Sequence, residues 1–269
     1  MKIKTLLRFL KIRIQKAKAA AQESLHIEDC LNTATNNEII RHEKEPFEYV
    51  VIDNFFSEEI YEGLCAYVHN VKKRGFSESP STTKFYPFKY VTGYLEKYGG
   101  YFYPPRHNEN KFMDIFFSVR WNLFIEKLMG QNTNEFISTT VHLHTEGNKN
   151  GWVHNDYQKV FFNRKDTLSN GMVTQSNTED EFTDEAFRSI AVLYYFDNDT
   201  WKDGDGGETG IFSSPSSGLF AKVAPKNNRL LVMKISPKSF HAFMGNKTDR
   251  NAIVQWFHVD TEEALKEYE

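Results

Sequence analysis

The sequence predicts a mainly β chain with flanking helices (α+β), organised as a sandwich or jelly-roll barrel. Two observations carry this reading. From Phe136 to His258 short β-branched and aromatic runs alternate with Gly-, Asp- and Asn-rich turns, the signature of many short strands packed in two layers. Before Phe136, two longer stretches carry apolar residues at three- and four-residue spacing, which marks helices with one buried face.

In chain order, residues 1–21 hold Lys2, Lys4, Arg8, Lys11, Arg13, Lys16 and Lys18, and the first acid is Glu23. Ile3, Leu7, Leu10, Ile14, Ala17 and Ala21 fall on one helical face. The segment reads either as a basic amphipathic helix lying on an anionic membrane surface or as a terminal helix packed on the domain. Charges interrupt every apolar core that a signal peptide would need. Residues 22–45 are polar and read as a linker, and residues 46–262 as the domain proper. Within it, the run Pro46–Phe56 predicts a strand. Ser57-Glu58-Glu59-Ile60 predicts a helix start, with acids in the first turn, running to about Lys73. Residues 76–110 are rich in turns and aromatics, fit either to stack a planar substrate or to pin down a long connection. Phe112 to Met129 predicts one helix closed by Gly130.

Six strands follow in the barrel half, at about residues 136–260: Ile137–His144, Trp152–Phe162, Ser189–Phe196, Glu208–Phe212, Arg229–Ile235 and Asn251–His258. Phe240–Met244 adds a short one. The polar, acidic stretch 163–187 interrupts them and reads as a loop, with a lid over the site as one use.

Bulk properties exclude several classes. Net charge is −3 over 269 residues, and no basic groove with interleaved aromatics is visible, so nucleic acid is not an expected partner. Two cysteines, Cys30 and Cys65, have no metal-like spacing and imply no disulfide framework, so a cytoplasmic location is the default, with peripheral membrane contact through residues 1–21 as an option. No apolar run reaches the length of a membrane span. Nothing in the sequence sets an oligomeric state.

The chemistry-bearing stretch is Gly151-Trp152-Val153-His154-Asn155-Asp156. On a strand, His154 and Asp156 would leave the same face, supplying two of the three ligands of a two-histidine, one-carboxylate iron site. The triplet alone is a weak signal. His241, at the start of a later strand, is the best candidate for the third ligand, against the alternative of an ordinary core or surface histidine. Arg250 begins the next strand, Arg250–His258, and a buried arginine there would need an anionic partner. The alternative is a surface ion pair with Asp249 or Asp260.

In this order His154-Asn155-Asp156, Leu193–Phe196 leading to Asp205-Gly206-Gly207-Glu208-Thr209, Val223-Ala224-Pro225 before Arg229–Met233, and His241 followed by Arg250 and Trp256-Phe257 resemble the 2-oxoglutarate/Fe(II)-dependent dioxygenase superfamily, in its prolyl-4-hydroxylase-like branch. The resemblance implies a double-stranded β-helix (jelly-roll) core. It implies Fe(II) on His154, Asp156 and His241, and the 5-carboxylate of 2-oxoglutarate on Arg250. His144 stands where that family usually has a tyrosine near the co-substrate. O2 is the second co-substrate, with ascorbate as an accessory reductant. The implied reaction is hydroxylation of an unactivated C–H with release of succinate and CO2. The presence of Asp156 favours hydroxylation over halogenation. A small molecule such as an amino acid, sugar or other metabolite is the first expectation for the substrate. The second is a protein or peptide side chain, and the third a silent barrel used for binding or sensing. His142, His107 and His258 match no slot of the family and read as structural.

Overall fold

The computed structural model describes residues 10, 11, 13, 14, 17, 18, 39–74, 82–85, 88–91, 94–95, 100–103, 110–163, 174–176, 179 and 181–268. Fifteen strands, three α-helices and one 3₁₀ helix occur among residues 39–268, and the described residues before them are helical. The larger sheet runs in the order β1 (Ile39–Glu43), β2 (Tyr49–Ile52), β13 (Arg229–Lys234), β10 (Thr183–Tyr195), β15 (Arg250–Asp260), β7 (Ile137–His144), β6 (Gly100–Tyr103) and β5 (Tyr94–Leu95). β8 (Lys159–Asn163) pairs with the first part of β10, and β9 (Thr174–Ser176) pairs with β8. The smaller sheet is β12 (Leu219–Val223), β11 (Thr209–Phe212) and β14 (His241–Phe243), while β3 (Thr82–Phe85) and β4 (Phe88–Val91) pair separately.

Strand periodicity divides the core into two layers. Side chains directly opposite one another across a ladder share a face. Val141, Ile253, Tyr194, Val192, Leu230, Val232 and Val50 therefore point one way, and they are buried against α1 (Glu58–Arg74) and α2 (Val119–Met129). Phe55, Phe56, Phe116, Trp121 and Tyr194 fill that layer with rings mostly in tilted or edge-on contact, the geometry aromatic quadrupoles prefer. The alternate residues Leu193, Ala191, Ala252, Val254, Leu231 and Met233 point into the barrel, where Ile211 and Val223 of the smaller sheet meet them. The expected double-stranded β-helix with helices on one side is thus the observed architecture.

Several boundaries differ from the sequence reading. The segment expected to be a linker contains β1, which covers the outer edge of β2. The single helix expected over 112–129 is two: a 3₁₀ helix at Met113–Phe117, then α2. Ser118 separates them because its backbone is extended (φ −73°, ψ 150°), and its hydroxyl donates to Ile115 O while accepting from Trp121 N. Gly130 closes α2 in the left-handed region, as expected. The 163–187 stretch is not simply a loop: Thr183–Phe187 extends β10 and pairs with β8, and Lys159 Nζ meets Glu185 Oε2 at 2.7 Å. β12 had no sequence-based expectation, and neither did the closing helix α3 (Thr261–Tyr268). Most side chains of the aromatic stretch 76–110, His107 and Cys30 lie outside the described residues.

Candidate metal and co-substrate site

His154 and His241 are cross-strand neighbours. The amide of each donates to the carbonyl of the other, at 3.0 and 2.7 Å, and their rings lie 4.5 Å apart. Asp156 does not share a strand with His154, contrary to the sequence expectation. Only His154 makes a bridge, and Asp156 sits in the left-handed region at φ 56°. The Asn155 side chain accepts from Tyr157 N at 3.1 Å, and Ser239 Oγ donates to Asn155 O at 3.1 Å. This local turn, which Asp tolerates better than most residues, folds the carboxylate back toward both imidazoles.

The result is convergent. His154 Nε2 is 3.5 Å from Asp156 Oδ1 and His241 Nε2 is 3.5 Å from Asp156 Oδ2. One ligand atom from each residue lies within 4.8 Å of the others, a set that could hold a metal ion. The donor chemistry fits. His154 Nδ1 is bonded to Trp152 O (3.0 Å) and His241 Nδ1 to Ser239 O (2.9 Å). A ring that donates through Nδ1 presents the lone pair of Nε2 to a cation.

Asp156 is held from behind. Trp256 Nε1 donates to Oδ2 at 2.7 Å and Arg188 to Oδ1 at 3.3 Å, and the Arg188 guanidinium lies over the Trp256 ring. Burial would raise the Asp156 carboxyl, but the hydrogen bond and charge of His241, with Arg188 and His154, outweigh it and keep it well below the carboxylate range. Burial lowers His154, helped by the neighbouring His241. Burial also works against a charged His241, yet Asp156 reverses the sign and raises it.

Arg250 sits in the wall of the barrel, on the same inward side of β15 as Ala252, Val254 and Trp256. It is 3% exposed, lies over the rings of Tyr195 and Phe243, and its Nε has no hydrogen-bond partner. Asp249 instead accepts from Glu146 N, and Asp260 from Asn134. Among the described residues no carboxylate forms an ion pair with Arg250. A desolvated guanidinium lacking an acid is costly, and the carboxylate of a bound dicarboxylic acid would supply the missing partner. Gly206 makes the wall possible: at φ 78°, a Cβ there would come within 1.8 Å of Gly245 O.

His144 is opposite Arg250 across β7 and β15 and stacks on Phe243 with ring centroids 4.4 Å apart. His142, which had been read as structural, is also on this inner face, opposite Ala252 and 6.3 Å from the Trp256 ring. Burial, then His144 and Arg250, push it well below the ordinary histidine range. Strand alternation from His144 could have placed it; nor did the sequence reading assign Arg188 and Trp256 as the groups that hold Asp156.

A double-stranded β-helix whose mouth carries His-x-Asp and a distant histidine defines a class of non-haem metal centre. Residues 139–258 match the 2OG-Fe(II) oxygenase superfamily. That match covers a little under half of the chain, and the fold is similar to that of solved prolyl hydroxylases. It is similar to the prolyl 3-hydroxylase sudestada1 of Drosophila melanogaster, with 36% identity over 91 residues that cover 29% of this chain and 17% of that protein. The chain thus matches less than a fifth of that relative's length. Among solved structures, a prolyl-4-hydroxylase of Pseudomonas putida aligns over 87% of this chain and 98% of its own, with a TM-score of 0.51 and 13% identity. A prolyl hydroxylase of Trichoplax adhaerens, in complex with a peptide of hypoxia inducible factor, aligns over 95% and 96%, with a TM-score of 0.52 and 16% identity.

Proposed function

We propose that the chain is an Fe(II)- and 2-oxoglutarate-dependent hydroxylase acting on a prolyl-type side chain of a peptide or protein. The observation that carries the enzymatic reading is the presence, on the inner side of one barrel, of the His154/Asp156/His241 donor set and a buried Arg250 that has no carboxylate partner among the described residues. When bound, Fe(II) with 2-oxoglutarate and O2 supplies the oxidising power to hydroxylate a C–H bond, with succinate and CO2 as co-products.

The chain's own contribution is placement. His154, Asp156 and His241 would hold the metal, and Trp256 and Arg188 fix the rotamer of Asp156. Arg250 takes the distal carboxylate of the co-substrate with its planar fork, and His144 lines the same end. Leu193, Ala252 and Val254 make the neighbouring inner side of the barrel apolar, which strengthens each polar contact beside it.

The peptidyl substrate displaces the small molecule expected from sequence. Its support is the likeness to sudestada1, a prolyl 3-hydroxylase. The open surface beside the site fits it: Trp152 is 56% exposed, 5.8 Å from the His154 ring, and offers a flat apolar face to a ring-shaped side chain at the mouth. A panel of proline-containing peptides set against free amino acids and sugars tests the reading, scored by succinate release and by a product heavier by one oxygen atom. Oxygen insertion into a free metabolite with none into any peptide would overturn the peptidyl assignment.

A further inference from the structure

The described residues of the basic amino-terminal segment leave its apolar side chains exposed. Residues 10, 11, 13, 14, 17 and 18 are helical and exposed. Arg13 reaches back to the body of the protein, 3.2 Å from Glu126 Oε2 and 2.5 Å from Asn132 Oδ1. Glu126 is 5% exposed, and Thr133 further fixes its carboxylate through its amide (2.6 Å) and hydroxyl (3.0 Å). The tether is therefore anchored in a buried group. Leu10 and Ile14, by contrast, are 46% and 55% exposed.

A helix packed on its domain buries its apolar stripe and shows its charges to water. Here Leu10 and Ile14 are exposed together with the charged residues. With about 100° of rotation per residue, Leu10, Ile14 and Ala17 fall in an arc of about 60°. Lys11 and Lys18 border that arc on one side, and Arg13, the tethering residue, on the other. The sequence from Met1 to Ala21 carries seven basic residues and no acid, so what covers the stripe must accept apolar side chains and supply negative charge.

We propose that this helix docks the protein on an anionic lipid surface, with Leu10 and Ile14 inserted below the headgroups and Lys11 and Lys18 paired with them. Apolar burial and attraction to anionic headgroups act together in such helices. The Arg13–Glu126 contact tethers the helix to the domain at the border of that stripe, so helix and domain meet the membrane together. Proline hydroxylation plays no part in this inference.

The test is co-sedimentation of the full-length protein with vesicles of phosphatidylcholine containing roughly a third phosphatidylglycerol, against pure phosphatidylcholine. Wild type is expected to bind the anionic vesicles at least about tenfold more tightly, and to lose most of that binding in high salt, since exposed charges are screened within a few ångströms there. The double variant Leu10→Glu/Ile14→Glu is expected to stay soluble and folded and to lose vesicle binding. Equal binding of wild type and variant would overturn the proposal. So would wild type that ignores vesicles but self-associates in light scattering through Leu10 and Ile14, which would give the stripe to a second copy.

Discussion

Replacing Arg250 by Met is the perturbation that separates a cation waiting for an anion from one that serves the fold. The guanidinium is 3% exposed and has no carboxylate partner among the described residues, only the Tyr195 and Phe243 rings around it. Burial works against its charge. Removing an unpaired buried charge and filling its volume with an apolar chain is neutral or stabilising, here by up to about 1–2 kcal/mol, which for a chain of this size is a rise in Tm of about 2–8 °C. The opposite sign is expected once co-substrate is added. A carboxylate about 4 Å from a guanidinium is worth roughly 4 kcal/mol at an effective dielectric of about 20. Losing one member of a desolvated pair costs about 2–5 kcal/mol, so the Kd for 2-oxoglutarate should rise by roughly 30- to several thousand-fold. Calorimetric titration of 2-oxoglutarate into anaerobic Mn(II)-loaded protein gives the second quantity, and thermal melts without ligand give the first. Arg250→Lys keeps the charge without the fork and should fall between. A Kd unchanged in Arg250→Met, or a ligand-free protein several kilocalories less stable, would refute the reasoning.

His154→Ala and His241→Ala should each abolish Mn(II) binding and 2-oxoglutarate turnover while the far-ultraviolet circular dichroism stays that of wild type; retained binding would remove that histidine from the donor set. Trp256→Phe deletes the 2.7 Å hydrogen bond to Asp156 and should weaken metal affinity by about 10- to 100-fold, read by competition with a fluorescent chelator. His258 is fully buried beside Phe162, bonded to Phe136 O, and pushed down to about 3 by burial. The unfolded chain takes up a proton below about pH 6.5 that the folded chain refuses, so stability falls as pH drops from there toward 3. The loss is about 1.4 kcal/mol per pH unit, or roughly 2 kcal/mol at pH 5. Urea melts of His258→Phe should show a correspondingly flatter acid limb, and parallel limbs would contradict it.

How much of this was legible in the sequence depends on the range of the forces involved. β7, β13, β15 and the second part of β10 were readable because each carries a run of mostly apolar or β-branched residues buried on both faces. His154, Asp156, His241 and Arg250 were nameable in order, through resemblance; the first three converge, and Arg250 lies buried on β15. What escaped was set by tertiary contact or by one dihedral. The turn at Asp156 breaks the expected strand at its most important residue, and no pattern in Val153–Tyr157 announces a left-handed aspartate. The break at Ser118 depends on a hydroxyl serving two partners at once. β1 is polar because it lies at an edge, where pairing with β2 outweighs composition. His142 escaped because its role follows from the register of β7 against β15, not from its neighbours in sequence. The orientation of the amino-terminal helix rests on a single distant carboxylate, Glu126.

The mutual pairing of His154 and His241 ties two regions of the chain that have nothing local in common. Both backbone bonds join residues 87 positions apart, so the donor set exists only once this long-range contact has formed. Partly folded chains offer a cation scattered imidazoles and carboxylates, without the arrangement that binds it tightly. Metal capture then works as a latch on completed topology: it draws the equilibrium toward the closed form by the whole of its binding free energy. A cell short of the metal would accumulate a slacker barrel as well as a less active one.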